Sequence, residues 1–188
     1  MKTRVCLCAA ALLVPSLTGC GGSSSSGPAN TPITSNPVPR SVSATISNGL
    51  TATLTEDRTT VSVGGTVTYT ATLTNSTAQP ITYQPVYGGG GLAPPVPAAL
   101  VVSNPSHQTV YPLGPIPNFV SVGQPVTLVP GQSVTETQAV KTEANNGLTI
   151  AGGYSTAGQY TANAFFGFDV GVSPPAPTTV GPLPVTAQ

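Results

Sequence analysis

Along most of the chain, apolar and polar residues alternate one for one. The clearest stretch is 66–74, where Val67, Tyr69, Ala71 and Leu73 share one side and Thr66, Thr68, Thr70, Thr72 and Thr74 the other. Successive side chains of a β-strand point to opposite faces, so this run predicts a strand with one face for a core and one for water. Val42, Ala44 and Ile46 show the same pattern earlier, and Ala52 and Leu54 resume it after Asn48-Gly49. Further strands are predicted at 81–83, 99–102, 126–128, 134–140 and 159–168. In the last of these, Tyr160, Ala162, Ala164, Phe166 and Phe168 fall on one side. Threonine is β-branched and fits the wet face of an extended chain. Beyond the first twenty residues, no segment carries the 3.6-residue apolar stripe of an amphipathic helix.

Turn residues punctuate these runs. Gly64-Gly65 and Asn75-Ser76 bound the longest strand, and Pro80 opens the next. Short strands with frequent turns predict an all-β domain over 41–170, an antiparallel immunoglobulin-like β-sandwich of about seven strands. A Greek-key barrel is the second architecture. Residues 171–188, with Pro174, Pro175, Pro177, Pro182 and Pro184, read as a Pro-rich tail or an edge strand.

The start of the chain follows another pattern. Lys2 and Arg4 precede a nearly continuous apolar stretch at 5–14, which is too short for the ~20 residues a membrane helix needs. Leu17-Thr18-Gly19-Cys20 follows, then Ser, Gly and Pro in plenty. Basic flank, apolar core and small residues before a cut predict a cleaved signal peptide over 1–19. The tetrad resembles the lipobox of bacterial lipoproteins, which implies that Cys20 carries the lipid. Residues 20–40 then form a disordered tether, flexible where serine and glycine dominate and stiffer at Pro28, Pro32, Pro37 and Pro39. One acyl chain holds a membrane marginally and two or three hold it stably, so the partner implied here is a membrane, through lipid on Cys20. The expected location is extracytoplasmic, anchored to the cell membrane or the outer membrane.

Composition narrows the remaining options. Only 5 % of the residues are charged, and Cys6, Cys8 and Cys20 are the three cysteines. Loss of the leader and lipidation of Cys20 leave no thiol for a disulfide, a metal or a nucleophile. Past residue 20 the cations are Arg40, Arg58 and Lys141 against five carboxylates, which excludes the dense basic footprint of nucleic-acid binding.

Val63-Gly64-Gly65-Thr66-Val67, then Thr72-Leu73-Thr74-Asn75-Ser76-Thr77 and Gln79-Pro80-Ile81-Thr82, are followed by Leu128-Val129-Pro130-Gly131-Gln132-Ser133 and Gly158-Gln159-Tyr160-Thr161-Ala162. This succession, over about residues 55–168, resembles the BsuPI family, named for an intracellular proteinase inhibitor. The resemblance implies an immunoglobulin-like domain and, as an activity, proteinase inhibition. It supplies no residue that defines an inhibitory contact.

Catalytic constellations are sparse. His107 is the single histidine, and a triad would have to join it to Ser155 and Asp169 without the strand–turn–helix that such a nucleophile needs. His107 therefore reads as a surface or loop residue, and one imidazole makes no metal site. Glu56-Asp57 with Arg58 reads as a solvated turn, and Glu136 and Glu143 have no partner for glycoside chemistry. The glycine run 88–91 precedes Leu92-Ala93-Pro94-Pro95, with no helix and no lysine to make a phosphate loop. No enzyme, metal or cofactor is expected. The segment 83–125 reads as a long loop rich in Gly and Pro, and Tyr87, Tyr111 and Phe119 are its candidate binding residues. Two functions follow: a non-catalytic binding module for an envelope protein or surface polymer, or a proteinase inhibitor offering residues 93–119 to a protease.

Overall fold

Wherever the alternation is regular, the chain is in a strand. The computed structural model describes residues 38–46, 49–88, 96, 98–111, 119–142, 152–169 and 178–188, the side chains of 86–88, 119–122, 168 and 169 excepted. The expected leader, Cys20 and all but the last residues of the expected tether lie outside these. So do residues 89–91 of the glycine run and Glu143. The described residues belong to one unit, Asn36–Gln188. It is all-β, with no helix among them.

The strands are β1 (Arg40–Thr45), β2 (Leu50–Glu56), β3 (Thr60–Val61), β4 (Thr66–Asn75), β5 (Ile81–Gly88), β6 (Ala98–Ser103) and β7 (Thr109–Tyr111). After them come β8 (Phe119–Val122), β9 (Val126–Leu128), β10 (Ser133–Lys141), β11 (Gly158–Phe166), β12 (Phe168–Asp169) and β13 (Thr178–Ala187). One sheet has the order β1-β2-β4-β10, a second β3-β13-β11-β6-β7, and a third β12-β5-β8 with β9 also on β5. Thirteen strands among the described residues exceed the seven expected. Several have only two or three residues, and β7 and β8 form inside the segment read as a loop. The run read as one strand over 159–168 breaks at Gly167, so Phe168 leaves β11 and pairs in the third sheet, opposite Pro85.

The first two sheets turn their apolar faces to one shared core, the layering of a β-sandwich. Leu50, Ala52 and Leu54 of β2 and Val67, Tyr69 and Leu73 of β4 are buried there. From the other layer come Tyr160, Ala162, Ala164 and Phe166 of β11 and Val180, Leu183, Val185 and Ala187 of β13. Each fully buried aliphatic or phenyl side chain contributes about 1.5–3 kcal/mol over leaving it in water. Buried Asn75 ends the inward face of β4. Its Nδ2 donates to the carbonyls of Gln79 and Leu128, both at 2.8 Å, and its Oδ1 accepts from Thr77 N and Oγ1.

The outer face of the first sheet carries hydroxyls in rank. Thr45, Thr51, Thr74 and Ser133 stand opposite one another across the four strands; so do Ser43, Thr53, Thr72 and Thr135, and then Ser41, Thr55, Thr70 and Thr137. Neighbours bond along the rows, as in Ser43–Thr53 and Thr74–Ser133, both at 2.8 Å.

Two features add to the expected plan. Among the described residues every strand pairing is antiparallel except β3 with β13, which run parallel through Thr60↔Thr186 and Val61↔Ala187. From Thr178 onward the Pro-rich end is a strand, one of its two readings: β13 pairs with β11 over most of its length and fills the core with alternate residues. Pro182 and Pro184 are tolerated because β3 covers only the last two residues of β13, leaving the other edge free of ladder bonds upstream.

Candidate functional site

The turn between β6 and β7 is built on Asn104. Its Oδ1 accepts from Ser106 N at 3.0 Å and Gln108 N at 2.9 Å, and its Nδ2 donates to Gln108 Oε1 at 3.0 Å. The backbone closes the same turn, with His107 N donating to Asn104 O and Asn104 N to Gln108 O, each at 2.9 Å. This geometry puts His107 at φ 61°, in the left-handed region. A glycine adopts that conformation freely, whereas a residue with a Cβ pays about 1–2 kcal/mol for it. The imidazole is thereby carried outward on an exposed, cross-braced turn.

A cavity of about 550 Å³ opens beside the turn. Asn104, Pro105 and His107 make one wall, Pro182 and Pro184 of β13 the opposite one, and Gln159 and Thr161 of β11 lie between them. Register explains the assembly: Thr161 stands across from Ser103 of β6 on one side and Pro184 on the other. Gln159 and Thr161 alternate with buried Tyr160 and Ala162, so they face out from the sheet. The lining contains no carboxylate, ammonium or guanidinium group.

A buried polar cluster lies at the end of the core where β1 begins and β2 ends. Glu56 follows Leu50, Ala52 and Leu54 on the inward face of β2 and is wholly buried, so the solvated turn expected at Glu56 is corrected. Its Oε1 accepts from Arg40 Nε at 3.1 Å and Nη2 at 2.9 Å, while Oε2 has no hydrogen-bond partner. Arg40 Nη2 also donates to the carbonyl of Pro184, which ties β1 to β13 across the two layers. Burial pushes the Glu56 carboxyl above its ordinary value, against the pull of Arg40. The turn itself holds Asp57, which pairs with Arg58 at 2.8 Å and accepts from Thr68 N. Tyr69 and Tyr154 share a 2.6 Å hydroxyl–hydroxyl bond, and burial raises both phenols beyond the ordinary range. Tyr154 meets Tyr160 edge to face, with ring centroids 4.9 Å apart. The Tyr160 hydroxyl donates to the carbonyl of Thr156 at 2.9 Å and accepts from Thr156 N at 3.1 Å.

The candidate binding residues separate. Tyr87 and Phe119 are placed by backbone alone, on β5 and β8, where Gly88 pairs with Phe119 and Tyr87 with Ser121. Tyr111 sits on β7 opposite Val102, half-buried and packed against the core, so its reading as an exposed loop residue is corrected. Directly opposed residues share a face, so its pairing with buried Val102 sets it against the core. His107 is exposed in a turn, as read from the sequence, and Asp169 lies on β12 in another sheet. Glu136 lies on β10, an edge strand; its carboxyl is driven up by burial, and Oε2 has no hydrogen-bond partner. Inward-pointing charge on an edge strand discourages sheet-to-sheet pairing. Among the described residues, no three His, Cys, Asp or Glu side chains gather as a metal set. Gln159, Thr161, Pro182 and Pro184 were not singled out beforehand as binding residues. The outward phase of 159 and 161 beside Tyr160 was the available signal.

No protein-family model matches the chain, and no curated protein matches it. Among solved structures the chain is similar to a β-glucosidase, EmGH1 of Erythrobacter marinus, with a TM-score of 0.33 and 11 % identity over 80 % of this chain and 16 % of that one. The chain thus spans about a sixth of that enzyme's length. So distant a likeness bears on neither activity nor substrate.

Proposed function

We propose that this chain is a lipid-anchored, extracytoplasmic protein whose immunoglobulin-like domain is a non-catalytic binding module for a surface polymer or an envelope protein. The observation that carries the domain reading is the strand order. β1-β2-β4-β10 faces β3-β13-β11-β6-β7, with the short β3 running parallel to β13. Two facing layers in this order support the immunoglobulin-like reading. Tyr160 adds to it: near the start of β11, its hydroxyl reaches back to the backbone four residues upstream, in the manner of a tyrosine corner. The lipobox tetrad ending in Cys20 supports the anchor, and the sheet carrying an open groove lined by Asn, Gln, Thr, His and Pro side chains supports a binding role.

The test loads the full-length lipidated protein into vesicles, incubates them with an envelope extract, and identifies what is retained beyond protein-free vesicles. Retention of a saturable polymer or protein is the expected outcome, and retention of nothing counts against the binding reading. Proteinase inhibition is the second reading. The observation favouring it is the exposed turn at 104–108, held rigid before any encounter by the Asn104 bonds. Titration against serine, cysteine and metalloproteinases separates the two readings, since an inhibitor lowers activity stoichiometrically.

A further inference from the structure

We infer that the groove between the β6–β7 turn and the proline-bearing part of β13 is a binding site for a neutral saccharide. It rests on the binding-module reading and names the site and the ligand chemistry within it. Three observations carry it: an open cavity of about 550 Å³, walls of proline rings around outward amide, hydroxyl and imidazole groups, and a histidine held where glycine belongs.

The volume falls within the ~300–1,000 Å³ of small-ligand sites, and two strand spacings of ~4.8 Å make the floor about 10 Å across. A sugar ring is apolar on its C–H faces and hydrogen-bonding around its rim. Pro182 and Pro184 on one side and Pro105 on the other offer aliphatic ring surface to such faces. Gln159 and Thr161 rise from the floor, and each can donate and accept as vicinal hydroxyls require. Asn104 is committed to the turn through both ends of its amide, so it positions His107 instead of meeting the ligand. His107 supplies ring nitrogens at the rim. The left-handed backbone it occupies serves the turn no better than glycine would, so the side chain is the feature retained at a cost.

Other ligand classes fit less well. An anionic polymer would meet no lysine or arginine in the lining. A peptide adding as a strand needs a free ladder; β11 is paired on both sides, and the open edge of β13 carries Pro182 and Pro184, which have no N–H to donate. A folded protein partner draws its energy from aromatic or arginine anchors at the centre of contact, and the lining has neither.

The experiment uses the full-length protein in detergent, titrated with maltohexaose, cellohexaose, chitohexaose and, as an anionic comparison, an oligogalacturonate. Calorimetry is run at low and high salt. At least one neutral oligosaccharide binds, with an affinity insensitive to salt, and the galacturonate does not. His107→Gly relieves the backbone, keeps or raises the thermal midpoint, and weakens binding at least about tenfold, which is the change expected from one lost hydrogen-bonding contact. Gln159→Ala, on the exposed face, weakens it similarly. Failure of every neutral sugar overturns the inference. So does preference for the anionic one, or unchanged affinity in both variants. If the vesicle experiment instead captures a protein equally well with both variants, the groove assignment falls while the binding module stands.

Discussion

Glu56 brings a carboxylate into the core with one oxygen held by Arg40 and the other unpaired. Because burial raises its pKa, the folded protein binds a proton more readily than the unfolded chain between the ordinary value of 4.5 and the raised one. In that window stability falls as pH climbs. Glu136, raised by the same cause, adds in the same direction. The thermal midpoint is therefore expected to rise as pH is lowered from neutral towards 4.5. Glu56→Gln should flatten part of that slope, and a slope left unchanged in differential scanning fluorimetry would contradict the assignment. Tyr160→Phe removes a buried hydroxyl that both donates and accepts at Thr156, at an expected cost of about 1–3 kcal/mol in urea unfolding. Both residues were legible in part. Continuing the alternation from Leu50 by twos places Glu56 inside, but its charge suggested a turn. The inward phase of Tyr160 was plain, whereas its bond to Thr156 depends on how residues 152–157 fold back, which alternation does not encode.

In β4, period-two patterning fixes every orientation, and the prediction there is a contrast between adjacent positions. Leu73→Ala, wholly buried, should cost about 2–5 kcal/mol, and Thr72→Ala, in the outer hydroxyl face, under about 1 kcal/mol. Comparable losses at both sites in chemical denaturation would mean that the strand faces the other way. Between β10 and β11, Gly153 adopts φ 63°, and a Cβ there would come within 2.3 Å of the Lys141 carbonyl oxygen. Gly131, at φ 77° in the turn before β10, has open space at the same position. Gly131→Ala should lose only the ~1–2 kcal/mol of a left-handed backbone. Gly153→Ala should lose clearly more, because a carbonyl cannot swing aside as a flexible side chain can. The strands richest in alternation were readable in advance. β13 was readable only as one of two alternatives, an edge strand or a tail, since its prolines suit either; its pairing with β11 gives its alternate Val, Leu and Val residues a core to fill. The two-residue β3 was equally hidden, because a parallel pairing to a distant segment leaves no local signature.

At the scale of the whole protein, the anchor is the claim most open to test. Cys20→Ala should leave the chain unacylated and absent from the membrane fraction; acylation persisting in that variant, read by intact mass, would remove Cys20 from the role. The groove was hardly legible as a unit. Asn104, His107, Gln159 and Pro184 come from three separate stretches of chain, and strand register alone makes them neighbours. The ranks of serine and threonine outside β1, β2, β4 and β10 have a consequence for how the protein meets its surroundings. Hydroxyl groups of this kind take up and release no protons in ordinary aqueous conditions, and they gather no cloud of counterions. The ranks stay wet without being electrically marked, so acidification, brackish water or divalent ions change them little. Lys141, at the end of β10, is the one charge that the described residues add to this face, which leaves a charged polymer little to grip there by long-range attraction.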